Sequence, residues 1–350
     1  MMKRILGWVL TLCLILCAVA VAEEIDWRSL EGGELMVYVG CDPEHGKAVV
    51  DAFREKTGID AQYIRISSNE CYTRIKSERD DPQADVWYGG TWDPYIAAAR
   101  DGLLYAYEDF VHAPYKSRIY GIGEPKWFGI YSGYIGFVCD MNALKKAGVN
   151  APASWEDLTK PEYAGLICMA DPSTTGTGVM TLSILYQRYG EERAQEMIAA
   201  LDGNVAVYAN TGSNVIAKVA AGEAAIGVGF LHTGLMYIDQ GCDQLQLFAP
   251  SDGTGYEVGG TAIIEGAKHL DEAKLFLAFA MSPECQEIGQ TTGAFQFLTV
   301  EGAKDPEAAQ LLIDMGINLI DYNSAWTGEN KDRIIEAWRS VADLDKLNAN

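Results

Sequence analysis

Residues 35–69 read LMVYVGCDPEHGKAVVDAFREKTGIDAQYIRISSN, and the order of patterns in this stretch decides the architecture. Leu35 to Val39 is an unbroken apolar run, as expected of a strand covered on both faces. Gly40-Cys41-Asp42-Pro43 makes a turn. From Glu44 to Thr57, Val49, Ala52, Phe53 and Lys56 recur at helical spacing, and Gly58 stops the helix. A second strand runs from Ala61 to Ile66. Ser67-Ser68-Asn69 then caps a polar helix reaching about Arg79. Strand, helix and strand in succession imply parallel pairing with helices packed on the sheet faces.

The alternation continues outward. Ala84 to Tyr88 reads as a third strand, Gly89-Gly90-Thr91 as a turn, and Pro94 to Asp101 as a helix ended by Gly102. Further strands are expected at Gly129–Cys139, Leu166–Ala170, Val205–Tyr208, Ala225–Phe230, Leu245–Ala249 and Tyr256–Ile264. Ser173-Thr174-Thr175-Gly176-Thr177 opens a helix to Tyr189, and Glu191–Leu201 is helical. The tail carries helical patterns at Leu270–Met281, Pro283–Gln290, Pro306–Met315 and Lys331–Val341. No Pro- or Ser-rich linker interrupts the chain. Two α/β lobes joined by crossing strands are therefore expected, with Gly129–Cys139 and Tyr256–Ile264 as the crossings. The boundaries read as 23–132 plus 261–350 for one lobe and 133–260 for the other.

At the N-terminus, Lys3 and Arg4 precede an uncharged run from Ile5 to Ala22 that ends in Ala20-Val21-Ala22. This is the pattern of a secretory signal peptide over residues 1–22, cleaved after Ala22, and an uncleaved membrane anchor is the alternative. Cleavage would leave 328 residues, more than one hydrophobic core usually organises. The formal charge of −22 goes to −24 once Lys3 and Arg4 are lost. Such an acidic chain is not expected to bind nucleic acid or anionic membranes. Six of the eight cysteines lie beyond the leader: Cys41, Cys71, Cys139, Cys168, Cys242 and Cys285. Disulfides are permitted in an oxidising compartment, Cys41 with Cys71 foremost, and burial as small apolar side chains is the other reading.

Ligands of such sheets bind where strands end and helices begin. Ser173, Thr174, Thr175, Gly176 and Thr177 stand at such a junction, where free N–H groups and the helix dipole hold an anion. Similar turns recur at Ser67-Ser68-Asn69, at Gly89-Gly90-Thr91 and at Thr211-Gly212-Ser213, which adds Ser67, Ser68, Gly90, Thr91 and Ser213 to the candidates. Asp42 and His45 follow the first strand, His232 follows the strand ending at Phe230, and Glu257 opens the second crossing. Trp87 is expected in the core. The chain has no G-x-S-x-G, H-E-x-x-H, G-x-x-x-x-G-K-[ST] or EF-hand string, so catalysis, a cofactor and a bound metal are not expected.

Four runs also carry a resemblance: ADVWYGGTWDPYIAAARDGLL (Ala84–Leu104), LTKPEYAGLICMADPSTTGTG (Leu158–Gly178), VAAGEAAIGVGF (Val219–Phe230) and APSDGTGYEVGGTAIIEGAK (Ala249–Lys268). They resemble the ferric-type class of solute-binding proteins of ABC transporters, in the same order along the chain. The resemblance implies a type II periplasmic-binding fold, closure of two lobes on a small solute, and a monomer that delivers it to a permease and its ATPase. Iron-binding members have adjacent tyrosines near the position of His232. This chain has Phe230-Leu231-His232-Thr233 and no Tyr-Tyr pair. It is more similar to the branch that binds hexose phosphates or other organophosphates. In that branch, hydroxyl-rich turns hold phosphate, while a His-Asp pair and a later Glu hold sugar hydroxyls. Ser173–Thr177, His232 and Glu257 match, while Thr233 replaces the aspartate. The alternatives are a cation carrier using Asp42, His45, His232 and Glu257, and an extracellular hydrolase on the same scaffold.

Overall fold

The computed structural model describes residues 25–347. The signal-peptide reading, residues 1–22, lies outside the described residues. The first βαβ unit forms as its pattern requires: β1 (Glu34–Val39), α1 (Pro43–Thr57) and β2 (Asp60–Arg65). Val49, Val50 and Phe53 bury the inner face of α1, and Gly58 ends it in the left-handed conformation. There follow α2 (Ser68–Ser77), β3 (Val86–Tyr88), α3 (Trp92–Arg100) and the long β4 (Phe128–Asp140). Next come α4 (Met141–Ala147), β5 (Ile167–Ala170), α5 (Gly176–Tyr189), α6 (Glu191–Asn204) and β6 (Val205–Ala209). Then α7 (Gly212–Ala220), β7 (Ile226–Phe230), α8 (Leu231–Asp239), β8 (Leu245–Phe248) and β9 (Tyr256–Ile263). The tail holds α9 (Leu270–Ala280), α10 (Pro283–Gln286), β10 (Phe297–Leu298), α11 (Gln310–Asp314) and α12 (Ser324–Arg339).

The strands lie in the order β2-β1-β3-β9-β4-β7-β5-β6, with β8 and β10 on β4. β1 is parallel to β2 and β3, and β5 is parallel to β6 and β7. β4 and β9 run antiparallel to their neighbours. β4 changes partners partway along. Residues 128–134 pair with β9, whereas 135–139 pair with β7 and 137–140 with β8. The two lobes thus share one continuous strand, with β9 beside its first half. Trp87 is fully buried and stacks on Tyr95 at 3.7 Å, as core packing demands.

Two helical segments differ from the sequence reading. α8 begins immediately after β7, so His232 sits in a helical first turn. α12 starts at Ser324, seven residues before the expected Lys331. This helix packs on both α3 and α5, and Trp338 Nε1 donates to Tyr208 OH at 3.1 Å. All six described cysteines are free thiols, so the pair Cys41–Cys71 is not formed. Five are buried; the sixth, Cys242, is partly exposed.

Candidate functional site

Six of the described helices begin at one cleft between the lobes, a space of about 500 Å³ that includes its opening to solvent. One wall comes from the ends of β1, β2 and β3: Asp42 at the N-cap of α1, Ser67 and Ser68 at α2, Gly90 and Thr91 at α3. The facing wall holds Thr175, Gly176 and Thr177 at α5, Ser213 at α7, and His232 at α8. Glu257, from the crossing strand β9, also lines the cleft. The parallel strands aim their carboxyl ends inward, and each following helix starts there with unpaired N–H groups.

Local bonding fixes these turns. Ser67 and Glu70 form a capping box on α2. Ser68 Oγ accepts from Thr91 N at 3.1 Å, and Tyr131 OH accepts from Gly90 N at 2.8 Å. Thr175 Oγ1 accepts from Gly178 N at 2.9 Å and donates to Asp171 O at 2.8 Å. The Thr175 hydroxyl therefore caps its own helix, and what α5 offers the cleft is the N–H groups of Gly176 and Thr177.

Two candidates, Ser173 and Thr174, do not line the cleft. Ser173 N and Oγ both donate to Asp171 Oδ1 at 2.7 Å, folding an Asx turn before the helix. Thr174 Oγ1 lies 3.3 Å from Asn210 O and 3.5 Å from Asp171 O. The hydroxyl-rich string is thus divided, its first two members serving the turn. His45 is also off the cleft wall, with Nε2 3.4 Å from Tyr88 OH. Burial pushes its pKa down to about 4. Among the described residues no three His, Cys, Asp or Glu side chains are arranged to hold a metal ion.

The lobes touch across the cleft. Asn69 Nδ2 donates to Thr175 O at 3.0 Å and to Pro172 O at 3.3 Å, and Ser67 Oγ donates to Asn210 O at 3.4 Å. A Cβ on Gly176 would land on the Thr91 hydroxyl, so glycine permits this approach. The conformation is closed.

Several buried polar atoms at the site lack a protein partner. Thr91 Oγ1 and His232 Nδ1 are two, each on a residue 3% exposed. His232 stacks on Phe230, and its Nε2 stands 3.9 Å from Glu257 Oε1. Burial, with a smaller effect from His45, lowers the His232 pKa to about 3. Burial, then Asp42 and Asp93, raise Glu257 well above the usual carboxylate range. His232 is therefore neutral at neutral pH, and burial disfavours charge on both groups, so this end suits neutral hydrogen-bonding groups. Burial also raises Asp42, against the lowering effects of a Ser213 hydrogen bond and of Arg65.

Sequence reasoning missed Arg65, whose Nε donates to Cys41 O at 3.1 Å and which stands as a cation on the cleft wall. Its signal was its place at the carboxyl end of β2. Thr233, Tyr131, Phe230 and Gln296 also line the cleft. Gln296 belongs to a loop, and no local pattern marks it.

Comparison with known proteins agrees with this geometry. A family model described as bacterial extracellular solute-binding protein matches residues 99–323. A Haemophilus influenzae protein, described as uncharacterized, is 33% identical over 324 residues, covering 90% of this chain and 92% of its own. The periplasmic binding protein AfuA from Actinobacillus pleuropneumoniae, solved with fructose-6-phosphate bound, superposes with a TM-score of 0.81 at 33% identity. That match covers 91% of this chain and 99% of AfuA. The periplasmic binding protein P5PA gives a TM-score of 0.82 at 30% identity, covering 89% and 100%.

Proposed function

We propose that this chain, which belongs to the family of bacterial extracellular solute-binding proteins, captures a small phosphorylated solute between its lobes for an ABC importer. The observation that carries the reading is the convergence of six helix N-termini on one closed polar cleft. Their N–H groups and dipoles favour an anion, and Arg65 is the one cation on the wall among the described residues. This reconciles anion capture with a chain of formal charge −22. AfuA, similar over nearly the whole chain, was solved with a sugar phosphate bound.

In the reading proposed, the phosphate rests on the first turns of α5 and α7, facing Ser67, Ser68 and Thr91. His232 and Glu257 hold hydroxyls at the other end, where burial disfavours charge on both groups. Donors come from both lobes, so the ligand makes its full set of contacts only in the closed state. Binding shifts the population toward closure by that difference. The lobes are 23–132 with 261–350, and 133–260, a division supported by the change of partners along β4. The stretch with α12 is the part of the first set that reaches across. The leader is removed after Ala22, and the mature monomer presents its closed form to a permease and its ATPase, binding without turnover.

Native mass spectrometry of freshly purified protein tests the reading, followed by a thermal-shift screen of phosphate esters, sugars and metals. A retained organic phosphate, or a phosphate ester that raises the melting temperature, is the expected result. A visible-absorbing iron adduct, or stabilisation by metals alone, overturns it.

A further inference from the structure

Asp42 occupies the N-cap position of α1, where aspartate ordinarily accepts a hydrogen bond from its own helix. Here it does not: no N–H of α1 bonds its side chain. The carboxyl instead lines the cleft with Ser213, at the first turn of α7 in the facing lobe, and with Arg65, and both favour its ionised form. An acceptor therefore stands among donors, beside the N-termini proposed to hold the anion. A fully ionised oxyanion would meet a carboxylate there and be repelled. An oxyanion that carries a proton can donate its O–H instead.

We infer that Asp42 makes the cleft select oxyanions that carry a proton, so that phosphate and phosphonate monoesters bind and sulfate or sulfate esters are rejected. The inference rests on the anionic-solute reading above and adds the basis of its selectivity. The proton sits on the ligand oxygen, and the Asp42 carboxylate, favoured by Ser213 and Arg65, accepts its hydrogen bond. Phosphate monoesters lose their second proton near pH 6 and still carry one at slightly acid pH. Sulfate carries none. A site built to take a ligand O–H discriminates strongly against an analogue without one, because its acceptor is left unpaired. The ionisable and polar groups around Asp42 are Arg65 from β2, Ser213 from α7, Cys41 beside it, Glu257 from β9, Tyr131 from β4 and Tyr237 from α8. Of these, Arg65 alone is a cation, and it favours ionised Asp42. Burial, then Asp42 and Asp93, disfavour charge on Glu257.

The test is calorimetric titration of inorganic phosphate, inorganic sulfate and fructose 6-phosphate into the full protein and Asp42→Asn at pH 6.5. Asparagine is isosteric, and no helix cap is lost with the carboxylate. The wild type is expected to prefer phosphate over sulfate by about a hundred-fold or more. Asp42→Asn is expected to narrow that ratio at least about ten-fold, because its amide donates to either anion. A wild type that takes sulfate as tightly as phosphate, or an unchanged ratio in the variant, overturns the inference. A second measurement needs no variant: wild-type affinity for fructose 6-phosphate should fall about ten-fold per pH unit between pH 7 and 9, as one proton must be taken up. Flat affinity across that range also overturns it. If fructose 6-phosphate binds while these selectivity results fail, only this inference falls. If no phosphate probe binds, the anionic-solute reading falls and takes the inference with it.

Discussion

Asn69 offers a direct measure of how much lobe–lobe contact contributes to ligand affinity. Its side chain is 2% exposed, and Nδ2 bonds Thr175 O at 3.0 Å and Pro172 O at 3.3 Å across the cleft. These bonds exist only when the lobes meet. A typical net hydrogen bond contributes about 0.5–1.5 kcal/mol, and the longer of the two sits at the low end. Against them stands Asn69 Oδ1, buried without a partner, whose removal returns part of the loss. Asn69→Ala should thus weaken the closed state by about 1 kcal/mol, or about five-fold in affinity. Asn69→Asp is the sharper probe. It sets an ionised acceptor against two carbonyls, which should weaken binding by about 2–3 kcal/mol, or 30- to 150-fold. In the open protein the same carboxylate lies in the first turn of α2, where it stabilises the helix by about 0.3–1 kcal/mol. The expected signature is opposite signs: a ligand-free melting temperature equal to or above wild type, with fructose 6-phosphate affinity much reduced by calorimetry. If Asn69→Asp loses stability and affinity in proportion, or binds as wild type does, the latch reasoning is wrong.

Three further perturbations have definite outcomes. Gly176→Ala places a methyl on the Thr91 hydroxyl, so ligand affinity should drop about ten-fold or more, while the ligand-free melting temperature stays level or rises with helix propensity; normal affinity would mean the lobes close differently. Thr175→Val removes the α5 cap and the bond to Asp171 O, so urea denaturation should show a loss of about 1–2 kcal/mol, and an unchanged midpoint would contradict the capping geometry. Asp93 is 1% exposed, and burial raises its pKa to about 7. Its unfolded value is about 3.9, so its stabilising effect is complete below that pH and lost as pH rises to 7. Asp93→Asn should therefore gain stability relative to wild type across that window, by about 4 kcal/mol at pH 8; a difference that does not change with pH refutes the assignment.

The parts of the fold that were legible are those where one residue face decides the outcome. The apolar run Leu35–Val39 and the helical spacing of Val49 and Phe53 needed no tertiary context. α8 was not legible, because Leu231-His232-Thr233-Gly234 follows a strand without a break and includes a β-branched residue and a glycine. Leu231 and Leu235, one turn apart, are its buried anchors. The first turns of α12 are polar, and Gly328 lies 3.3 Å (from an added Cβ) from Asp93 O, so packing on α3 rather than periodicity holds them. At the site, the strand-to-helix turns were visible as strings of small polar residues. What those strings could not show is which hydroxyls the backbone takes for itself. Asp171 engages Ser173, and Thr175 caps its own helix, whereas the hydroxyl of Thr91 is left to the cleft. Arg65 was missed because a charged residue at a strand end reads as a solvated one.

The shared strand β4 also has a mechanical meaning. A strand of 13 residues is about 43 Å long, and its change of partners near Tyr134 and Ile135 divides it into two gripped ends. It acts as a torsion bar. An added twist of ~20° along it, within the range strands adopt, moves a point ~12 Å from its axis by about 4 Å. That displacement separates Asn69 from Thr175 without breaking a ladder bond in either half. Gly129, Gly133 and Gly136 are spaced along the bar and carry no side chain to resist the rotation. Opening and closing can then be as rapid as elastic motion, because the sheet stores the movement as twist and never has to come apart.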